Sequence, residues 1–371
     1  MDGGVACQTS GGCPASGLCL PDGHCAKVDD VAYVEPMSPD DGDATCSRTK
    51  PCAHITPALS TLGLNTQRPY VKLGIGVLTE AVVIPNGRKV EIFGEPSGIF
   101  ELRTRLTSAP GSPALTVQGV DTSVIIHDLA ISAGDPGPGN PALPNAVNVQ
   151  EAQLLLDHVV VENTKGLGLF VDRGRITLVR SLVRNNQAGG LVAQDAGFEV
   201  VGNIFEANGS PMSAQGGVRI TLSEDTERAS LSALANHFEL NTLHANRTRS
   251  QTGAALKCVV QGFTARGNLY LDNGVIPAVG EDPPDPKRQI EGSCSHEDTS
   301  TWPTTLLPGT GNQAADPQLE SPGTDFHPKS GSPVIRAASR LPLSSFADVD
   351  INGVDRPVQP TIGACEPRPS Q

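Results

Sequence analysis

Aromatic residues are scarce: the 371 residues include 3 Tyr, 1 Trp and 9 Phe. Composition alone therefore excludes an extensive aromatic platform of the kind that grips sugar rings. Basic clusters are lacking too. Lys and Arg number 27 against 40 Asp and Glu, a net charge of -13, and the cations are scattered singly, which excludes nucleic acid as an expected partner. No apolar run approaches the roughly 18 residues of a bilayer-spanning helix, so no membrane span is expected. Local catalytic signatures are missing: there is no Gly-x-Ser-x-Gly, no His-Glu-x-x-His and no phosphate loop. The opening Met1-Asp2-Gly3 has neither a charged n-region nor an apolar h-region, and the expectation is that an export signal has been removed.

What is abundant is glycine (40), proline (31) and, in one place, cysteine. The first two favour short strands and many turns over helices. Cys7, Cys13, Cys19 and Cys25 recur every six residues in Gly-, Ser- and Pro-rich sequence too poor in apolar residues to fold unstapled. Five intervening residues fit zinc ligation badly, so disulfides and an oxidising compartment are expected. Cys46 and Cys52 close a further loop, and Cys258 is expected to bond Cys294, tethering a Pro-rich insertion.

The chain also repeats. Asn163, Asn186, Asn208, Asn241 and Asn273 follow one another at steps of 23, 22, 33 and 32 residues, with Val160, Val183, Phe205, Phe238 and Tyr270 three residues before them. A second polar column reads His158, Ser181, Asn203, Asn236 and Asn268. Repeats of this length mark a solenoid, in which one coil per repeat stacks asparagine amides into a hydrogen-bonded ladder. Inward pairs are read as Val147 and Val149, Leu169 and Val171, Leu191 and Ala193, Val218 and Ile220, and Leu256 and Cys258. Added residues fall in loops at 223–229, 243–252 and 279–293. The expected organisation is a Cys-rich knob (1–30), an N-terminal strand and capping helix (31–69), parallel coils (70–312) and an irregular C-terminal cap (313–371). Thr56 is read as the cap of that helix, with Pro57 in its first turn and Gly63 at its exit.

Tyr33-Val34, the Cys46 to Cys52 loop with Thr56-Pro57-Ala58-Leu59, and the Asn-Gly coils resemble the secreted bacterial right-handed parallel β-helix proteins of the pectate-lyase-like superfamily. Asp325-Phe326-His327-Pro328, Gly331-Ser332-Pro333-Val334-Ile335, Asp350-Ile351-Asn352-Gly353-Val354-Asp355-Arg356-Pro357 and Ile362-Gly363-Ala364-Cys365-Glu366 resemble the C-terminal segment of that group. The resemblance implies an all-β right-handed parallel β-helix, and export. In lyases and hydrolases of this superfamily, catalytic residues project from the outer face of one sheet. Family members usually carry an aromatic where Cys365 stands, and many continue into a surface-sorting tail.

Strand alternation places Asn148 and Gln150, Phe170 and Asp172, Val192 and Gln194, Arg219 and Thr221, and Lys257 and Val259 on such an outer face. Arg219 and Lys257 would be neighbours, roughly 4.8 Å apart. One reading makes them a lyase pair, one taking a proton beside a uronate carboxylate that the other neutralises. The plainer reading is solvated charge on a sheet face. Phe170, Asp172 and Gln194 are the candidate binding residues. No metal site is assigned. Asp348-x-Asp350-x-Asn352-Gly353 starts like a calcium loop, but Arg356 and Gln359 stand where ligands belong, which favours a turn with Arg356 paired to an acidic neighbour. His158 is expected to join the ladder. The expectation for function is an exported, non-catalytic scaffold or surface protein that binds an extracellular polysaccharide or cell-surface component through its loops, without a cofactor; the alternative is a uronate polysaccharide lyase using Lys257 and Arg219.

Overall fold

The computed structural model describes residues 6–368 apart from 8–11, 14–15, 39–44, 62–69, 97, 99, 138–142, 222–235, 250–252, 261–262, 276–288, 304–306 and 340–343. Strands from successive coils pair in parallel to form three sheets of ten, eight and nine strands, the architecture of a parallel β-helix. The first sheet begins at Val31–Val34, the second at Val82–Ile84 and the third at Gly76–Thr79. A representative coil contributes Val147–Gln150 to the second sheet, Gln153–Asp157 to the first and Val160–Glu162 to the third. One residue in the left-handed region makes each bend: Glu151 (φ 55°), His158 (φ 55°) and Asn163 (φ 57°). That backbone turns the chain sharply, sends the bend residue outward and the next one inward.

The inward residue after a bend is what the ladders are made of. One ladder runs Thr164, Asn186, Asn208, Asn246, Asn273, and the other Ser181, Asn203, Asn241, Asn268. Asn208 shows the pattern. Its Oδ1 accepts the backbone N–H of Asn186 at 3.2 Å and the Asn186 Nδ2 at 3.0 Å, while its own Nδ2 donates to Val183 O and Asn246 Oδ1 at 2.8 and 3.1 Å. The buried amide is satisfied by neighbours on both sides, which makes a fully buried polar column affordable.

The expected columns therefore need correction. Each coil carries two ladder positions five residues apart, and the columns mixed them: Asn163 is a bend residue beside Thr164, and Asn241 belongs to the other ladder, its place being taken by Asn246. The apolar column is Val161, Val183, Phe205, Leu243 and Tyr270, whereas Phe238 faces inward from the first sheet. Asn236 lies outside both ladders, its Oδ1 accepting the Phe198 N–H at 3.0 Å. His158 is also a bend residue; the Val159 N–H meets Ser181 Oγ instead.

Elsewhere the strands Ser123–His127 and Ala130–Gly134 are separated by a bend at Asp128 (φ 56°). Residues 243–252 contain the strand Arg247–Thr248, and 279–293 end in Ile290–Gly292, which extends the second sheet beside Leu256–Val259. The loop expected at 223–229 and the residue Gly63 lie outside the described residues.

The capping helix, Ile55–Thr61, buries Ile55, Ala58 and Leu59 against the first coil. Its cap is not Thr56. The Glu80 carboxylate takes the N–H groups of Ile55 and Thr56 at 2.5 and 3.2 Å and the Thr56 hydroxyl at 3.0 Å, placing a negative charge on the positive end of the helix. Disulfides join Cys7 to Cys19, Cys13 to Cys25, Cys46 to Cys52 and Cys258 to Cys294, leaving Cys365 as a buried free thiol. Among the described residues no helix is long and apolar enough to cross a membrane. The C-terminal segment folds back over the outer surfaces of the first and third sheets, where Phe326, Val334, Ile351 and Ile362 join one apolar cluster with Leu182, Ile204, Leu240 and Leu269. The Gly363 N–H reaches Gly267 O at 2.8 Å and the Ala364 N–H reaches Thr242 Oγ1 at 3.0 Å, so this segment is bonded to the late coils.

Candidate functional site

Two regions of the surface gather chemistry-bearing side chains. The first is the outer face of the second sheet. Strand registers align Asn148, Phe170, Val192, Arg219 and Lys257 in one outward column, and Gln118, Gln150, Asp172, Gln194 and Thr221 in the next. The inward pairs lie where alternation predicts. Register holds because the chain enters this sheet through glycines that admit no side chain: a Cβ on Gly190 would lie 2.5 Å from Gly217 O, and one on Gly217 2.6 Å from Ala255 O.

Arg219 and Lys257 are adjacent, and a third charge continues their column. Glu291 pairs with Lys257 in register and binds its Nζ at 3.0 Å. This residue falls in the Pro-rich stretch expected to be loop, so sequence reading did not reach it. Asp172 is engaged by Arg173 at 3.2 Å, and Arg173 also binds Glu151 at 2.8 Å. Phe170 is half-buried, whereas Gln118, Gln150 and Gln194 are exposed. The suspected calcium turn is filled from within the chain: Asp350 accepts the N–H groups of Asn352, Val354 and Glu366 at 2.8, 2.8 and 2.9 Å. Buried Arg356 pairs with Glu366 at 2.9 Å.

The second region is the corner between the first and third sheets. Three successive bends place Asp128, His158 and Arg180 outward, and the strands before them end in His127, Asp157 and Val179. His158 Nδ1 lies 2.6 Å from Asp128, and its ring stacks on Phe100 with centroids 6.1 Å apart. Arg180 binds both Asp157 oxygens, at 2.9 and 2.6 Å. His127 sits between Glu91 at 3.1 Å and Asp157 at 3.4 Å, stacked on Phe93. Burial alone would lower the His127 pKa, but hydrogen bonds and charge from Asp157 and Glu91 outweigh it and raise the value to about 9. Burial works to raise the Asp157 pKa, and the bonds from His127 and Arg180 bring it below the ordinary carboxylate value instead. At neutral pH, His127 is therefore an imidazolium held between Glu91 and Asp157.

These charges floor a groove walled on one side by Pro96, Gly98 and Phe100 and on the other by the turn Ile351-Asn352-Gly353. One cavity of about 450 Å³ lies over the His127, Asp157, His158 and Arg180 side chains; a second of about 560 Å³ runs on over Leu182, Arg184 and Ile204, and the two share Ile351 and Asn352. Sequence reading missed this region because its partners lie 30 and about 200 residues apart. The signal that could have found it is the column Asp128-Leu129, His158-Val159, Arg180-Ser181, a bend residue followed by an inward one.

The sequence matches no family profile and no curated protein. Among solved structures, the chain is similar to pectate lyase Pel9A, at 13% identity and a TM-score of 0.44, over 91% of this chain and 96% of that one. It is similar to pectin methylesterase PemA from Erwinia chrysanthemi, at 12% identity and a TM-score of 0.39, over 74% and 90% of the two chains. A third is the tailspike protein gp49 from Acinetobacter baumannii bacteriophage Fri1, a capsular polysaccharide depolymerase, at 9% identity and a TM-score of 0.34, over 79% and 66%.

Proposed function

We propose that this is an exported β-helix protein that holds an extended polysaccharide along the outer face of its second sheet without cleaving it. The observation that carries the reading is the column Gln118, Gln150, Asp172, Gln194 and Thr221, one polar side chain per coil. At roughly 4.8 Å per coil it offers about 19 Å of alternating donors and acceptors, suited to successive hydroxyls of one polymer. Phe170 in the adjoining column gives an apolar surface for a ring face. Export is supported by the four disulfides, which persist in oxidising compartments. Binding rather than cleavage is supported by Lys257 and Asp172 being engaged in ion pairs.

A lyase is the second reading, and one observation favours it. Arg219 Nε is buried and has no hydrogen-bond partner among the described residues, a donor suited to an incoming carboxylate. Affinity electrophoresis through gels of neutral and uronate polysaccharides separates the two. Retention weakened by the double variant Gln150→Ala, Gln194→Ala, with no unsaturated sugar ends formed with or without calcium, supports the binder. Turnover that disappears in a folded Lys257→Ala protein would replace it with the lyase, and retention indifferent to the glutamine changes would remove the second sheet as the site.

A further inference from the structure

We propose that the corner groove is a second, separate binding site, for a short neutral oligosaccharide. Each arginine lining it, and His158, is already paired with a carboxylate. Arg180 is bonded to Asp157, His158 to Asp128, Arg184 to Glu162 and Arg368 to Asp325, each at 2.9 Å or less. An anion such as phosphate or a uronate would meet a carboxylate beside every cation and would have to break an existing pair to gain one. A hydroxyl has no such conflict, because it donates to a remaining carboxylate lone pair and accepts from a remaining N–H at the same point.

The floor supplies these mixed partners on consecutive coils through Asp128, His158 and Arg180, and then turns apolar over Leu182 and Ile204. Phe100 stands over His158 and adds a ring face at the junction. Polar edges alternating with apolar faces are the two aspects of a pyranose, and cavities of about 450 and 560 Å³ are within the usual range for a small ligand. The wall also explains why the site is confined to the early coils. On the late coils the C-terminal segment lies directly on the same corner, on Leu240 and Gly267, and fills the space. On the earlier coils the same segment instead contributes Ile351, Asn352 and Gly353 as the wall of the groove.

The test is isothermal titration of the whole protein with maltotriose, cellotriose, mannotriose and N-acetylated chitotriose, with trigalacturonate and inorganic phosphate as anionic arms. At least one neutral trisaccharide should bind, at least tenfold more weakly to Phe100→Ala and to His158→Gln, both verified as folded by circular dichroism. Should His158→Gln fail to fold, Phe100→Ala and the shifts of histidine ring resonances in the wild-type protein carry the test. Polymer retention by the second sheet should stay at the wild-type level in Phe100→Ala. Absence of binding by all four neutral probes at millimolar concentration, tighter binding of either anion at the groove, or joint loss of both bindings in folded Phe100→Ala protein would overturn the proposal.

Discussion

At the corner before the third sheet, His158, Arg180, Gly202 and Leu240 occupy the left-handed bend; at the corner after it, Asn163, Asn185, Ala207 and Ala245 do. Both corners share one backbone geometry and one inward solution, an amide ladder. They differ in what points outward. The first corner carries paired charges on its early coils and lies beneath or beside the C-terminal segment, whereas the second presents small polar or apolar residues to solvent. The difference separates two pressures on the sequence. Inward positions answer to the buried backbone N–H and C=O groups of the turn, which must be satisfied wherever the bend occurs. Outward positions answer to nothing in the coil, so a departure from blandness there reflects packing by another segment or a ligand.

The comparison is broken most severely by deleting a ladder member. Asn208→Ala would orphan the Asn186 N–H and Nδ2, the Val183 carbonyl and part of the Asn246 amide. Several buried unmade bonds should cost roughly 4–6 kcal/mol in denaturant unfolding. Asn241→Ala, the equivalent change at the other corner, should cost the same within about 1 kcal/mol, because the inward geometry is shared. A loss below about 1 kcal/mol at either would show that water replaces the ladder. Phe205→Ala removes a fully buried ring from the core between the corners and should cost on the order of 3–5 kcal/mol.

The outward charges of the first corner should reveal themselves through pH. The folded pKa of His127 is raised from 6.5 to about 9, so its contribution is complete below 6.5 and is lost as pH rises through 9. The depressed value of Asp157 works oppositely, contributing above the ordinary carboxylate range and fading as pH falls into it. Linkage gives the His127 part a size on the order of 3 kcal/mol. Unfolding measured between pH 6.5 and 9.5 should lose that much in the wild-type protein and much less in His127→Gln. Equal pH dependence in both would place the proton elsewhere.

How far the sequence discloses all this follows the same division. From Val147 to Val259 the second sheet was legible residue by residue, since its inward pairs alternate without a bulge through coils of unequal length. The existence of asparagine ladders was legible, but their register was not. Asn203 and Asn208, Asn241 and Asn246, and Asn268 and Asn273 stand five apart in every late coil, and nothing local distinguishes one corner from the other. The groove was illegible for a different reason: its wall comes from Ile351 to Gly353, and only the fold-back of the C-terminal segment brings that turn over His158. The placement of Glu291 was hidden by the proline-rich stretch before it, which obscures the return of the chain to the sheet.

The smallest expected effect is also the sharpest comparison, because it uses one change at one backbone conformation on the two corners. Ala207 and Leu240 have φ of 51° and 54°, and both precede a ladder asparagine. Replacing either by glycine relieves about 1 kcal/mol of left-handed strain and adds a comparable entropy cost, so the backbone terms nearly cancel. What remains is the side chain. Ala207 is only partly covered, and Ala207→Gly should change stability by no more than about 0.5 kcal/mol. Leu240 is fully buried among Leu269, Ala338 and Ile362, and Leu240→Gly should cost about 2 kcal/mol or more as the C-terminal segment loses its support. If thermal unfolding showed equal effects at the two sites, the bend itself would be setting the energy, and the distinction drawn between inward necessity and outward freedom would fail.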